Sequence, residues 1–386
     1  MYFTQAELSK AKELRQQIHS NPELKYEEIQ TAQLVAKELE NLGYEVQTGV
    51  AKTGVVALLK GKNPQAKVIA FRADMDALPI VEQNKFAYAS KNAGKMHACG
   101  HDGHTATLLL AAMYFARNKE KFQGSIKLIF QPAEEGGGGA NAMCKAGVLQ
   151  NPKVDLIFGY HNRPFYEENY VFVKSGSAMG GNDAYELLIE GASGHSAMPN
   201  KAVDSIYIAG LIITGLQGVV GRLKSPLQAG AISVTTIQAG SASNVIASRA
   251  KLTINIRSDS PECKQALFSG MQNYIKSTCE GFGASYELKH IHHTPALVND
   301  PKCANELFEV AKAALPQHRV EKIDFLPTMG AEDFAYYLLE TQGCFFFVGN
   351  GKGAYLHTDE YDFNDAILPT AASVFVALAH YYLEEQ

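Results

Sequence analysis

The stretch TATLLLAAMYFARNKEKFQGSIKLIF, residues 105–130, carries a helix and a strand back to back. Residues 105–116 form an apolar run of about three helical turns, and residues 125–130 are a short run rich in Ile that reads as a strand. Upstream, residues 54–59 and 67–71 are of the same strand type. Before them, apolar Leu8, Ala11, Leu14 and Ile18 recur at helical spacing until Pro22 ends the pattern. A second such pattern over residues 29–42 stops at Gly43, a residue that suits the left-handed end of a helix. Strands alternating with helices predict an α/β sheet with helices on its faces.

The rhythm changes near residue 176. A strand over 184–190, a helix over 202–223, strands over 231–238 and 249–257, a helix over 261–280 and a strand over 284–292 follow in order. That order is βαββαβ, the pattern of ferredoxin-like α+β domains. The chain is therefore expected to hold a discontinuous α/β domain, 1–174 and 295–386, interrupted by an insertion, 175–294. A length of 386 residues agrees with two cores rather than one.

Composition excludes some functions. The formal net charge of −5 supplies no basic field, so no nucleic-acid partner is expected. The N-terminal stretch lacks the apolar centre of a secretory signal, and no later segment reads as long and apolar enough to span a bilayer. Six cysteines without repeated spacing suit reduced thiols, and the expected location is the cytoplasm.

Just ahead of the apolar helix stand His97, Cys99, His101, Asp102 and His104. Thiolate and imidazole together suit zinc and its transition-metal neighbours, with the remaining polar groups orienting the ligands. The stretch FQPAEEGGGGA, residues 130–140, follows a strand and holds adjacent Glu134 and Glu135. In extended chain neighbouring side chains point to opposite sides, so one carboxylate can bind a cation while the other handles a proton. His161 is expected at the end of a strand over 154–158, where open α/β sheets bind ligands. His357 lies on a late loop; taken alone, either histidine reads first as a core or surface residue. RADMDALP offers Arg72, Asp74 and Asp76 after a strand, with Asp74 as a support for a ligand or the holder of a turn. In the insertion, His195 between glycine and serine is placed to donate to a substrate, and Asn244 and Arg257 are further candidates, Arg257 serving equally as an ion pair.

Six motifs, HACGHDGHT, QPAEEGGGGA, GYHN, GHSAMP, MGAEDFA and LHTDE, occur in an order and spacing that resemble the M20 peptidase family. They resemble specifically its amidohydrolase branch, which acts on N-acyl amino acids, hippurate and auxin conjugates. The resemblance spans essentially the whole chain. It implies a zinc-peptidase-like catalytic domain with a central sheet and an inserted lid and dimerisation domain. It further implies that Cys99, His101, Glu135, His161 and His357 hold two divalent cations, zinc or manganese, with cobalt and nickel as further candidates. Glu134 becomes the general base acting on an activated water, with Asp74 in support. His195 becomes the lid histidine that reaches the substrate carbonyl within its own subunit or a partner's. Asn244 and Arg257 match lid positions near the substrate carboxylate. The expected reaction is hydrolysis of the amide of a small N-acyl amino acid by a homodimer or higher assembly. A dipeptidase or aminopeptidase with the same metals, and a binding protein that has lost the chemistry, are the rival readings. Two departures from the family pattern are Arg163, where an aromatic or aliphatic residue is common, and Ala247, where proline is common.

Overall fold

A computed structural model describes residues 2–316, 319–325 and 328–384. The chain divides into two compact units, one of residues 1–176, 299–325 and 336–386, the other of residues 177–298 and 326–335.

The first unit opens with helices α1 (Gln5–His19) and α2 (Ile29–Asn41), then strands β1 (Glu45–Val50), β2 (Gly54–Lys60) and β3 (Val68–Asp74). Helix α3 (His101–Arg117), strand β4 (Ser125–Gln131), helix α4 (Gly139–Lys145), and strands β5 (Leu156–Pro164) and β6 (Val171–Lys174) follow. The second unit begins within β7 (Gly176–Met179) and continues with β8 (Gly181–Glu190), β9 (Gly194–His195), α5 (Ser205–Leu223), β10 (Gly230–Ala239), β11 (Val245–Ile246), β12 (Arg249–Ser258), α6 (Pro261–Gly281), β13 (Ser285–Thr294) and β14 (Leu297–Asn299). The chain ends with α7 (Pro301–Ala314), β15 (Val320–Ile323), α8 (Ala335–Glu340), β16 (Gln342–Gly351) and α9 (Leu368–Leu383).

The sheet of the first unit has the order β1-β2-β4-β3-β5-β16-β6-β15. Its centre is parallel: β3 pairs with β4 and with β5, and β5 with β16, all in the same direction. Carboxyl ends of these strands therefore share one edge, where open α/β sheets collect ligands. Strands β3 and β4 are buried along their whole length, as expected where helices cover both faces. Helix α3 is buried from His101 to Phe115, and Phe71, Phe115, Phe158 and Phe375 pack in the surrounding core. Such a helix cannot be read from one apolar stripe, because it has no solvent face.

The second unit is a ferredoxin-like α+β fold. Its antiparallel sheet has the order β10-β12-β8-β13, and Leu187, Leu252 and Ile254 of the sheet share a core with Ile212 and Leu216 of α5 and Leu267 and Met271 of α6.

Three expectations are corrected. Helix α3 starts at His101 rather than residue 105, because Gly100 turns the chain with φ +96 and the polar residues after it already form the first turn. Strand β5 runs to Pro164, so His161 lies within it. Helices Ser205–Leu223 and Asp365–Leu383 are long and apolar enough, by length and composition, to cross a bilayer; scattered Gly, Thr and Ala disguise these runs in the sequence. The second of these is mostly buried in protein, as a core helix is.

Candidate metal centre

Four segments converge at the carboxyl edge of the parallel strands. The Ala98–Cys99–Gly100 turn leads into α3, β4 leads into the Glu134–Glu135 turn, β5 carries His161, and the loop before α9 carries His357. A side chain at Gly100 would place its Cβ 2.4 Å from Asn162 Oδ1 and 2.7 Å from Tyr361 Oη, so glycine lets this turn press against β5.

Two sets of donor atoms overlap. Cys99, His101 and His161 form one group, and Cys99, Glu135 and His357 another, with ligand atoms in each group within 4.8 Å of one another. Cys99 Sγ stands 3.4 Å from His161 Nε2 and 3.3 Å from His357 Nε2, and His357 Nε2 stands 3.1 Å from Glu135 Oε1. His101, Glu134 and Glu135 make a third such group. Buried His101 Nε2 lacks a hydrogen-bond partner, and Glu135 Oε1, beside His357 Nε2, makes no well-directed hydrogen bond. Soft thiolate, imidazole and carboxylate around two neighbouring points suit a pair of divalent cations, and these orphaned atoms fit that occupancy.

Asp74 and Asp76, both buried, brace the donors from below. The His101 ring donates from Nδ1 to the Asp76 carbonyl oxygen at 2.8 Å, which leaves Nε2 as the nitrogen that a cation would take in place of a proton. The Asp76 carboxylate accepts the N–H of Glu134 at 3.1 Å and of Glu135 at 2.9 Å. It thus ties the acidic turn to the histidine. The turn is also held at Ala133, whose φ is +54 and whose N–H donates to Glu28 at 2.8 Å. Asp74 receives Arg72 Nη1 and His104 Nδ1, each at 2.7 Å, and the other ring nitrogen of His104 meets Asn162 Oδ1 at 2.7 Å. The His161 ring is fixed by Nδ1 donating to the Asn162 carbonyl at 2.7 Å.

Burial opposes charge on Asp74, yet His101, His104 and Arg72 overcome it and hold the carboxyl well below its usual range. Burial likewise resists charge on His101, but Asp74 and Asp76 push its pKa up to about 10. Burial and then the neighbouring His104 drive His161 well below an ordinary histidine. The Cys99 thiol is pushed well up by burial and by Glu135, Glu134 and Asp74. Crowded carboxylates thus disfavour a thiolate until a cation balances them.

Beneath α3 lies a further layer. His19 bridges Asp102 Oδ2 at 2.8 Å and Glu82 Oε1 at 3.1 Å, and Arg15, itself fully buried, contacts Asp102, Asp362 and Asp365. His97 sits near His19 with both ring nitrogens lacking a hydrogen-bond partner, and burial lowers its pKa to about 3. Arg163 lies with its guanidinium 5.6 Å from the ring centres of both Tyr166 and Phe347.

The remaining candidates belong to the second unit. His195, on β9, pairs in register with Val245 of β11, so Asn244 is its close neighbour; the Asn244 carbonyl accepts the Ser196 N–H at 3.0 Å. Both are exposed. Arg257 is half-buried near the end of β12, with Nη1 3.4 Å from the Met329 carbonyl oxygen.

The sequence points to every residue of the clustered donor set, and it leaves unassigned the parts played by Asp76, Asn162, His19, Arg15 and Glu82. Asp76 stands two residues from Asp74 in the same motif, and that spacing is the available signal.

Fold and site together define a metal-dependent hydrolase of amide bonds. The chain belongs to peptidase family M20/M25/M40, whose model matches residues 70–381. It is 38% identical over 371 residues to hippurate hydrolase of Campylobacter jejuni, covering 96% of each chain. It is 37% identical over 372 residues to N-acetylcysteine deacetylase of Bacillus subtilis, again covering 96% of each. A solved Bacillus subtilis structure, of a dinuclear metal binding peptidase from the M20 family, superimposes with a TM-score of 0.85 at 33% identity, covering 98% of this chain and 99% of that one. Two divalent cations per chain follow from that likeness and from the paired donor groups.

Proposed function

We propose that this chain hydrolyses the amide bond of N-acyl amino acids, with Glu134 as general base and Cys99, His101, Glu135, His161 and His357 as ligands of zinc or manganese. The observation that carries the reading is the adjacency of two carboxylates with different company. Both carboxylates share a donor group with His101, Glu135 shares a further one with Cys99 and His357, and Asp76 anchors both backbones. The likeness to a hippurate hydrolase and to an N-acetylcysteine deacetylase supports the substrate class.

A cation pair held by Cys99, His101, Glu135, His161 and His357 would supply acidity to a water, with a pKa toward about 7, and would polarise a carbonyl. Glu134 is placed to take a proton from an attacking water and to return it to the departing amine, so one group would serve as base and then as acid. His101 and Glu135 hold their positions through Asp76, which also anchors the backbone of Glu134 beside them. Asp74 holds His104 and, through it, Asn162 and the β5 edge. His195 donates to the carbonyl oxygen as it gains charge, a contribution worth about 3 kcal/mol for a well-placed donor. Asn244 and Arg257 receive the amino acid carboxylate. The second unit acts as the lid, and the working form is a homodimer or higher assembly. The six cysteines are all free, which supports a reducing compartment such as the cytoplasm.

The test is amine release from a panel of N-acyl amino acids and dipeptides, using chelated protein reloaded with zinc, manganese or cobalt. Acylated substrates should turn over with metal, and Glu134→Gln should keep its metal while losing nearly all turnover. Turnover of dipeptides alone would move the enzyme to the peptidase side, and full activity in the Glu134→Gln variant would remove Glu134 from its role.

A further inference from the structure

The second unit carries a group of side chains that the hydrolase reading does not use. Asp183, near the start of β8, is 1% exposed, and its Oδ1 lies 2.8 Å from His290 Nε2, 2.9 Å from His293 Nδ1 and 2.8 Å from Lys264 Nζ. Its other oxygen, Oδ2, is buried with no hydrogen-bond partner.

A β-bulge builds this convergence. In regular strand His290 and His293, three apart, would face opposite sides of the sheet. Strand β13 instead slips register between His290 and His292, so His290 pairs with Tyr185 and His293 with Asp183. Tyr185 and Asp183 are two apart on β8 and share the face covered by α5 and α6, and the extra residue brings both histidines to that face. The His290 ring is set by stacking on Tyr185, with ring centres 4.6 Å apart and planes 14° from parallel.

As a hydrogen-bonded cluster the arrangement conflicts with itself. His293 Nδ1 lies within reach of both Asp183 and Lys264 Nζ, the latter at 3.2 Å, and one ring nitrogen cannot donate to the carboxylate while accepting from the ammonium. Three donors crowd one carboxylate oxygen while the other has none. Two imidazole nitrogens and a carboxylate facing one point form a ligand set for a divalent ion of the zinc type. Lys264 stands in the first turn of α6 with its side chain 30% exposed, so its flexible stem can carry the ammonium out to solvent. The histidine side chains, 43% and 37% exposed, leave the group open to an ion from solvent.

We infer that Asp183, His290 and His293 form a separate transition-metal site in the ferredoxin-like unit, with Lys264 as the internal cation that a metal ion displaces. The site shares no residue with the catalytic donors, so it does not depend on the proposed hydrolase activity.

The experiment counts zinc. Full-length protein stripped with a chelator is dialysed against buffered zinc, and metal per chain is measured by mass spectrometry for wild type, Cys99→Ala, and the His290→Gln and His293→Gln variants singly and together. The double histidine variant should hold one zinc fewer than wild type, and Cys99→Ala should retain that zinc. Lys264→Gln, which removes the competing charge, should tighten this zinc about tenfold. Circular dichroism verifies folding of each variant, and the half-exposed single histidine substitutions stand in if the double variant does not fold. Equal zinc in wild type and all folded histidine variants, or unchanged affinity in Lys264→Gln, would overturn the assignment. Loss of catalytic-centre metal reads out separately in Cys99→Ala.

Discussion

The ring of His101 donates from Nδ1 to the carbonyl oxygen of Asp76 at 2.8 Å, while the Asp76 carboxylate receives the backbone N–H of Glu135 at 2.9 Å. One residue thus sets the tautomer of one donor and the position of another. Groups that orient metal ligands in this way typically contribute 10- to 100-fold, about one to two powers of ten, to affinity or activity. Asp76→Ala is expected to weaken metal binding by about that factor, while retaining the carbonyl bond to His101. A competitive chelator titration measures it; unchanged affinity would mean that the acidic turn holds itself.

Gly103, in the first turn of α3, is a second test of how tightly the helix is mounted. A Cβ there would stand 2.2 Å from Phe363 Cδ2, with two further ring atoms within 2.4 Å, and Phe363 is a buried core residue. Overpacking of this kind costs about 1–3 kcal/mol. Gly103→Ala should lower stability by that amount despite alanine's better helix propensity, as read by denaturant unfolding. A neutral or stabilising result would show that Phe363 can rotate away.

These two cases mark where the sequence is transparent and where it is not. Cys99, His101, Glu134 and Glu135 are legible because their chemistry is unusual and their neighbours in sequence are their neighbours in space. The ferredoxin-like order of the second unit is legible because its strands and helices alternate in length and polarity. Asp76 is not, because its function rests on backbone amides of Glu134 and Glu135 brought beside it by the pairing of β3 with β4. His161 reads as following a strand because β5 is buried along nearly its whole length and carries His, Asn and Arg without alternation. The bulge in β13 has no residue signature at all; it follows from the register against β8.

His19 gives the pH test. Burial resists a charge on its ring, but Asp102 and Glu82 override that and raise its pKa from 6.5 to about 9. A histidine whose pKa rises on folding stabilises the protein fully below about 6.5, and the contribution disappears as pH climbs through about 9. Its size is at most about 3.5 kcal/mol, since each tenfold gain in proton affinity is worth about 1.4 kcal/mol and the rise spans about 2.5 powers of ten. Chemical denaturation between pH 6 and 10 should show wild type losing stability over that window. His19→Gln should be less stable at the acid end and should lack that part of the slope, since Asp102 then loses its charged partner at 2.8 Å and keeps Arg15 at the longer 3.5 Å. Parallel profiles for the two proteins would show that His19 stays neutral in the fold.

Cys99 belongs to both donor groups, and this makes it the residue through which metal and stability are linked. An ion that binds only the folded chain stabilises it by an amount set by its concentration over its dissociation constant, about 2.7 kcal/mol at a hundredfold excess. Chelation should therefore lower the thermal midpoint of wild type, and zinc should restore it. In Cys99→Ala each group keeps two of its three donors, and the thiolate that balanced two cations is gone. Most of the zinc-dependent rise in midpoint should vanish in that variant, while its chelated midpoint stays near that of chelated wild type, because a neutral buried thiol and a methyl group differ little in packing. Scanning calorimetry with and without chelator separates the two effects. A full zinc response in Cys99→Ala would mean that the ions are held by His101, Glu135, His161 and His357 alone, with the thiol a bystander.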